Sequence, residues 1–228
     1  MKKTLRALAA LLGYPSAELK ENIGALRSAL REEAVLAQPV LDALEPLLRE
    51  FERKDLLDLQ AAYSELFDRS RSLSLNLFEH VHGESKERGQ AMIDLGQQYL
   101  EAGFFLESAE LPDFIPVFLE YSSCLPVTEA RAMVGRPAHV FAALAERLDE
   151  RKAPQAAIFH ALIAASGAKP DVEALADLKA RLPEEDPSKI DEEWEEVPVT
   201  FNSGGAHQMG GPTGFTAKIR AANRNVKA

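Results

Sequence analysis

An all-α fold is what this sequence predicts, on three observations. Its apolar residues are mostly Ala and Leu rather than alternating Val, Ile and Thr, a mix that favours helices over strands. They recur three and four residues apart along nearly the whole chain. No βαβ alternation and no internal repeat interrupts them. At 228 residues there is enough chain to bury one sizeable core. The expected architecture is a single-domain helical bundle of about nine to ten helices.

The elements follow in order. Leu5, Leu8 and Leu12 line a first helix, closed by Gly13 and Pro15. Ser16 is a plausible N-cap for a second, which carries Leu19, Ile23, Leu26 and Leu30. A third spans about Pro39 to Arg53 with Leu41, Leu44, Leu47, Leu48 and Phe51. Another starts at Asp55 and carries Leu56, Leu59, Tyr63, Leu66 and Phe67. A shorter helix around Leu75 to Val81 should end at Gly83, and Ser85 should cap a longer one with Met92, Leu95 and Tyr99. Asp113 is expected as the N-cap of the next, through Phe114, Val117, Phe118 and Tyr121, with Pro116 in its first turn. Helices from about Pro137 to Arg151 and Pro154 to Ser166 follow, and Pro170-Asp171 opens a last short one.

Past Leu182 the composition changes. Residues 183–198 hold eight acidic residues and one lysine, whereas 202–228 hold Lys218, Arg220, Arg224 and Lys227 and no acidic residue. The expected organisation is a helical domain over 1–182, an acidic extension over 183–201 and a flexible, disordered basic tail over 202–228. The tail's Phe215 and Ile219, set among its basic residues, could sit in an acidic groove.

Composition excludes several functions. With 26 Lys and Arg against 36 Asp and Glu, the net charge is -10, which repels nucleic acid and anionic lipid and favours basic peptides. A single cysteine, Cys124, forbids an intrachain disulfide and fits a reducing compartment. The first apolar run is interrupted by Arg6 and lacks a small-x-small cleavage site before Tyr14-Pro15, so a mature cytoplasmic helix is expected there. No run approaches the ~20 apolar residues of a membrane span, so no membrane insertion is expected.

The densest cluster of functional residue types lies in Leu73 to Asp94. Glu79-x-x-His82 has the spacing of carboxylate-bridged di-metal bundles, because residues three apart share a helix face. Such a site needs a second copy, and His139, His160 and His207 follow Arg136, Ala157 and Gly204 at that spacing. A metal-binding or enzymatic bundle using Glu79, His80 and His82 is therefore the alternative reading, and packing or surface histidines the plainer one. Gly83-Glu84-Ser85 opens like a nucleophile elbow but fails at Glu87, and its context is helix-turn-helix. No Gly-rich phosphate loop occurs. What remains suits binding. Tyr63, Leu66 and Phe67 form an apolar flank beside Glu65 and Asp68, and Glu110-Leu-Pro-Asp113 makes a rigid entry to a helix. An apolar cleft rimmed by carboxylates fits a basic amphipathic peptide helix.

Over these residues, YSELFDRSRSLSLNLFEHVHGESKERGQAMIDL followed by ELPDFIPVFLEY, the chain closely resembles the NarJ-type respiratory nitrate reductase assembly chaperones, a branch of the all-helical TorD-like redox-enzyme chaperones. The resemblance covers about Leu5 to Phe201, and WEEVPVTF around Trp194 looks like the end of that family's core. Tyr63, Leu66 and Phe67 match an aromatic-x-x-Leu-Phe motif, and Glu110, Pro112, Asp113 and Pro116 match a Glu…Pro-Asp loop. The wider family usually carries His directly after that Asp, where this chain has Phe114.

The resemblance implies a TorD-like fold and a cytoplasmic chaperone rather than an enzyme, with no cofactor of its own. Its partner would be the apo catalytic (alpha) subunit of respiratory nitrate reductase, bound through that subunit's N-terminal peptide. The chaperone would hold it for iron–sulfur and molybdenum cofactor insertion before membrane docking, with molybdenum cofactor biosynthesis proteins as further partners. The expected peptide site takes its apolar floor from Tyr63, Leu66, Phe67, Phe78, Phe114 and Tyr121. Asp68, Glu79, Glu84, Asp113 and Glu120 would supply carboxylates, with His80, His82, Arg88, Glu110 and Pro112 alongside.

Overall fold

The computed structural model describes residues 1–83, 85–106 and 110–181. Twelve α-helices and one 3-10 turn lie among them. These are α1 Lys2–Leu12, α2 Ala17–Glu21, α3 Ile23–Glu32, α4 Gln38–Arg53 and α5 Leu56–Phe67, then the 3-10 turn Arg71–Leu73. There follow α6 Leu77–His82, α7 Lys86–Glu101, α8 Ile115–Cys124, α9 Val127–Gly135, α10 Ala138–Glu150, α11 Ala156–Ser166 and α12 Val172–Arg181. The all-α expectation holds, and the two further helices have local causes. Asn22 breaks the expected second helix, taking a non-helical backbone while its side-chain amide donates to the Glu18 carbonyl. The segment between Pro126 and Pro137 forms α9, a short helix beyond those expected. The expected acidic extension and basic tail lie outside the described residues.

The core is built around α11, whose AAIFHALIAAS sequence is apolar on nearly every side and is buried accordingly. α10 and α12 pack on one another, α10 packs on α11, and α11 also meets α1, α4 and α9. Phe141 and Phe159 bring their rings to 6.1 Å between α10 and α11. α1 lies along α8, so Leu5, Leu8 and Leu12 vanish from solvent with Ile115 and Leu119. No described helix is long and apolar enough to cross a membrane.

Helix ends are completed partly across space. Ser16 caps α2 as its sequence suggests, its Oγ accepting from the Leu19 N–H at 3.1 Å. α1 has no such local cap. Instead Glu33, just past α3, accepts from the Thr4 and Lys3 N–H groups at 2.7 and 3.1 Å and meets the Met1 amino group at 2.6 Å. At the other end the Tyr63 hydroxyl donates to the Leu12 carbonyl. Gly83 closes α6 at φ 57 and ψ -130, a backbone that needs glycine. Ser85 holds the N-cap place of α7, as expected, but its hydroxyl makes no capping bond.

Candidate functional site

α6 begins where two distant loops meet. Leu75 to Asn76 and Asp113 to Ile115 pair as a short antiparallel bridge, with Leu77 N–H donating to the Asp113 carbonyl and Ile115 N–H to the Leu75 carbonyl. Asp113 Oδ2 then accepts from the Phe78 N–H at 2.9 Å. Asp113 thus caps α6 rather than its own helix, which corrects the sequence expectation. The cap place of α8 goes to Phe114, with no side-chain bond. Pro116 does sit in the first turn of α8, where it removes an N–H that a local cap would use.

Asp113 is fully buried, and its Oδ1 has no hydrogen-bond partner among the described residues. Burial pushes its carboxyl up from the ordinary 3.8, opposed by the Phe78 N–H and the Arg88 charge. A raised carboxyl opposes folding above its folded pKa, so this contribution weakens as pH rises from about 3.8. Asp113→Asn keeps an acceptor for Phe78, and its stability should gain on the parent as pH rises. Asp113→Ala strands the Phe78 N–H and should lose about 1–3 kcal/mol at pH 7. Urea unfolding of the three proteins between pH 4 and 7 checks both.

The histidines of α6 part company. His80 is 2% exposed, and its Nε2–H donates to the Ser74 carbonyl at 2.7 Å. Burial lowers its pKa below 6.5, with Arg147 and His139 pushing the same way against the Ser74 bond, so the ring is neutral at pH 7. His82 lies edge-on to Phe78 at 5.5 Å, its Nδ1 3.9 Å from Glu87. Glu79 accepts from Arg88 at 3.0 Å, which ties α6 to α7. Glu79, His80 and His82 therefore serve three different partners. Among the described residues no group of three His, Cys, Asp or Glu could hold a metal. Glu84 lies outside the described residues.

A cleft of about 430 Å³ opens beside α6. Leu77, Phe78 and Val81 of α6 face Ala91, Asp94, Leu95 and Gln98 of α7 across it. Phe118 of α8, Met133 of α9, and Arg136, Pro137 and His139 at the α9–α10 junction complete the wall. The surface is mostly apolar, with Asp94 and Arg136 of opposite sign on its lips. Burial holds the His139 pKa below 6.5, so its ring adds no charge at neutral pH.

Among the described residues expected in the peptide site, Phe78 alone lines this cleft. Tyr63 and Phe67 stack at 5.0 Å and join Tyr14 at the end of α1. Leu66 packs on the core beside them, and Asp68 is exposed at the end of α5. Burial raises the Tyr63 phenol pKa, and the charges of Asp68 and Glu110 add to that rise. Tyr121 is buried against Tyr99 at 4.3 Å and Phe104 at 5.8 Å, and Pro112 gives its carbonyl to the Tyr99 hydroxyl. Phe114 is half-buried against the core. Glu120 is exposed in a separate hollow with Arg6, Phe104 and Cys124. Met133, Arg136, Pro137 and His139 were missed from sequence. Ala130, Met133, Val134 and Pro137, spaced 0, 3, 4 and 7, carried the signal for them.

Residues 16–161 match the family described as nitrate reductase delta subunit. The chain is 42% identical over 192 residues to the nitrate reductase molybdenum cofactor assembly chaperone NarJ of Escherichia coli (strain K12), spanning 84% of this chain and 81% of that one. It is 37% identical over 206 residues to the probable nitrate reductase molybdenum cofactor assembly chaperone NarW of the same strain, spanning 86% and 83%. A probable NarJ of Bacillus subtilis (strain 168) is 27% identical over 165 residues, spanning 71% and 87%. The family match takes in more than half of the chain, and the two Escherichia coli relatives are covered over four fifths of their length; the chain therefore belongs to the nitrate reductase delta subunit family, among its NarJ-type members.

Proposed function

We propose that the chain is a cytoplasmic assembly chaperone for nitrate reductase. It holds the N-terminal segment of the apo catalytic subunit while iron–sulfur and molybdenum cofactors are inserted, before membrane docking. The observation that carries this reading is the 42% identity to a molybdenum cofactor assembly chaperone across 84% of the chain. The seat we assign to the segment is the α6–α10 cleft, whose apolar wall suits one face of an amphipathic helix.

Magnitudes favour burial over ion pairs. Each large apolar side chain seated in the cleft contributes about 1.5–3 kcal/mol, and each exposed lip pair only ~0.2–1 kcal/mol. The result is a reversible complex with moderate salt sensitivity, as a holding chaperone requires. Titration calorimetry with the N-terminal peptide of the catalytic subunit tests the reading. Micromolar binding is expected, and Val81→Asp in the cleft wall should weaken it at least about tenfold, a loss of ~1.4 kcal/mol. Tyr63→Ala, in the separate α1–α5 cluster, should weaken it far less. Absence of heat for both the peptide and the full apo-subunit would sink the proposal. Recovery of molybdenum cofactor biosynthesis proteins with the chaperone–client complex, and not with the chaperone alone, would place them as later partners.

A further inference from the structure

We propose, resting on the chaperone reading and the seat assigned above, that the oppositely charged lips of the cleft fix the direction in which a client helix lies there. On the α7 side the lip is acidic. Asp94 lines the cleft, and Glu87 and Glu101 stand seven residues before and after it on the same stripe of the helix, all three exposed. The stripe runs for roughly 21 Å along α7. Gln90 and Gln97 donate to Asp94 and Glu101 at 2.7 and 3.0 Å, the same bond made twice. These neutral amides steady the carboxylates and leave their charge in place, and neither carboxylate forms an ion pair among the described residues.

The lip at the α9–α10 junction is cationic. Arg136 is exposed there, its guanidinium 3.9 Å from the sulfur of Met133, a residue of the cleft wall. It too forms no ion pair among the described residues. His139 shares that wall, and burial keeps its ring neutral, so it does not change the sign of the lip. The cleft thus offers one negative and one positive edge to whatever its apolar floor holds.

Helix geometry converts those charges into direction. With its apolar face on the floor, a helix has a left and a right flank, and turning it end for end exchanges them. A segment with Lys or Arg along one flank can set them against Asp94 in one direction only. The other direction brings them against Arg136, so that an attraction is lost and a repulsion gained at once. Apolar burial supplies most of the affinity in either direction, which leaves the choice between them to the lips. Exposed charges are weak one by one, but the swing over both lips separates the two directions by about two- to thirtyfold. The occupant that fits is an amphipathic helix, basic along the flank that faces α7 and neutral or acidic along the other. A second copy of this chain, acidic overall, is a poorer match to the α7 lip.

The N-terminal peptide of the catalytic subunit, carrying a photo-reactive group at its first or its last residue, reads the direction when its cross-links to the full chain are mapped by mass spectrometry. One terminus should map beside Ala91 and the other beside Gln98, the two ends of the α7 wall. Asp94→Lys with Arg136→Glu reverses both lips at exposed positions, and the termini should then exchange places. Asp94→Lys alone makes both lips cationic and should weaken binding about three- to tenfold in calorimetry. Termini that map alike in the parent and the double variant overturn the proposal, as does unchanged affinity for Asp94→Lys. A double variant that is folded by circular dichroism and no longer binds overturns it too, because lips that only choose a direction leave one direction open. If the parent binds no peptide, or its cross-links fall outside the cleft or on a second copy, the seat itself is refuted and the direction falls with it. Peptide held in the cleft with unmoved termini refutes the direction alone.

Discussion

Tyr99→Ala is expected to destabilise the protein by about 3–5 kcal/mol, lowering Tm by roughly 6–20 °C for a chain of this size. Tyr99 is completely buried, packs its ring on Tyr121 and edge-on to Phe104, and donates its hydroxyl to the Pro112 carbonyl at 2.8 Å. Burial raises its phenol pKa, with Tyr121 and Asp113 adding to the rise, so it stays a neutral donor. The loss should reach the site as well. α7 supplies one wall of the cleft, yet Leu95 and Tyr99 are its only buried side chains. Removing the ring loosens that wall, and peptide affinity should fall with stability. Tyr99→Phe separates the two contributions. It keeps the stacking and forfeits one hydrogen bond, about 1 kcal/mol, with little change in affinity. Chemical denaturation and calorimetry on both variants give the answer; equal losses for Phe and Ala would overturn the packing argument.

Glu33→Gln should cost about 1–2 kcal/mol at pH 7, because its carboxyl is held down from 4.5 to about 2 and solvent screens part of that effect. Burial alone would raise this carboxyl, but hydrogen bonds from the amino terminus, Thr4 and Lys3 outweigh it. Its side chain keeps 19% of its surface exposed, so solvent screens part of these bonds. A depressed carboxyl stabilises the fold fully above the unfolded value of 4.5. That contribution drains away as pH falls toward about 2. Acid unfolding of the variant should therefore be flatter across that window than that of the parent. Glu32→Gln, which among the described residues pairs with the exposed Lys3 ammonium alone, should leave the acid curve where it was.

The helices were legible because each buries a stripe set by its own spacing. Leu5, Leu8 and Leu12, or Leu44, Leu47, Leu48 and Phe51, announce their faces without help from the rest of the chain. α9 was not, since Ala130, Met133 and Val134 make only a short stripe between two prolines. The relatives bear out the family resemblance carried by the Tyr63 to Phe67 and Glu110 to Pro116 motifs. The shape of the site was a different matter. Tyr63, Phe78 and Tyr121 are all aromatic and all look like floor residues, yet they stand in three separate clusters. Convergence of α6, α7 and α9 on one cleft depends on how helices pack, which no local spacing encodes. Asp113 shows the same limit at one residue. Its position before a helix suggested a local cap, and Pro116 together with the bridge to Asn76 turned it toward α6 instead.

The borrowed caps also order events in time. α1 is finished by a carboxylate that follows it by about thirty residues, and α6 by one that follows it by thirty-five. During synthesis at roughly 5–20 residues per second, the start of α1 must wait seconds for Glu33 to emerge, and α6 as long for Asp113. Neither helix can lock early on its own. In the finished protein, the amide of Phe78 should exchange with solvent only when the Asp113 loop lets go, so helix start and loop form one opening unit.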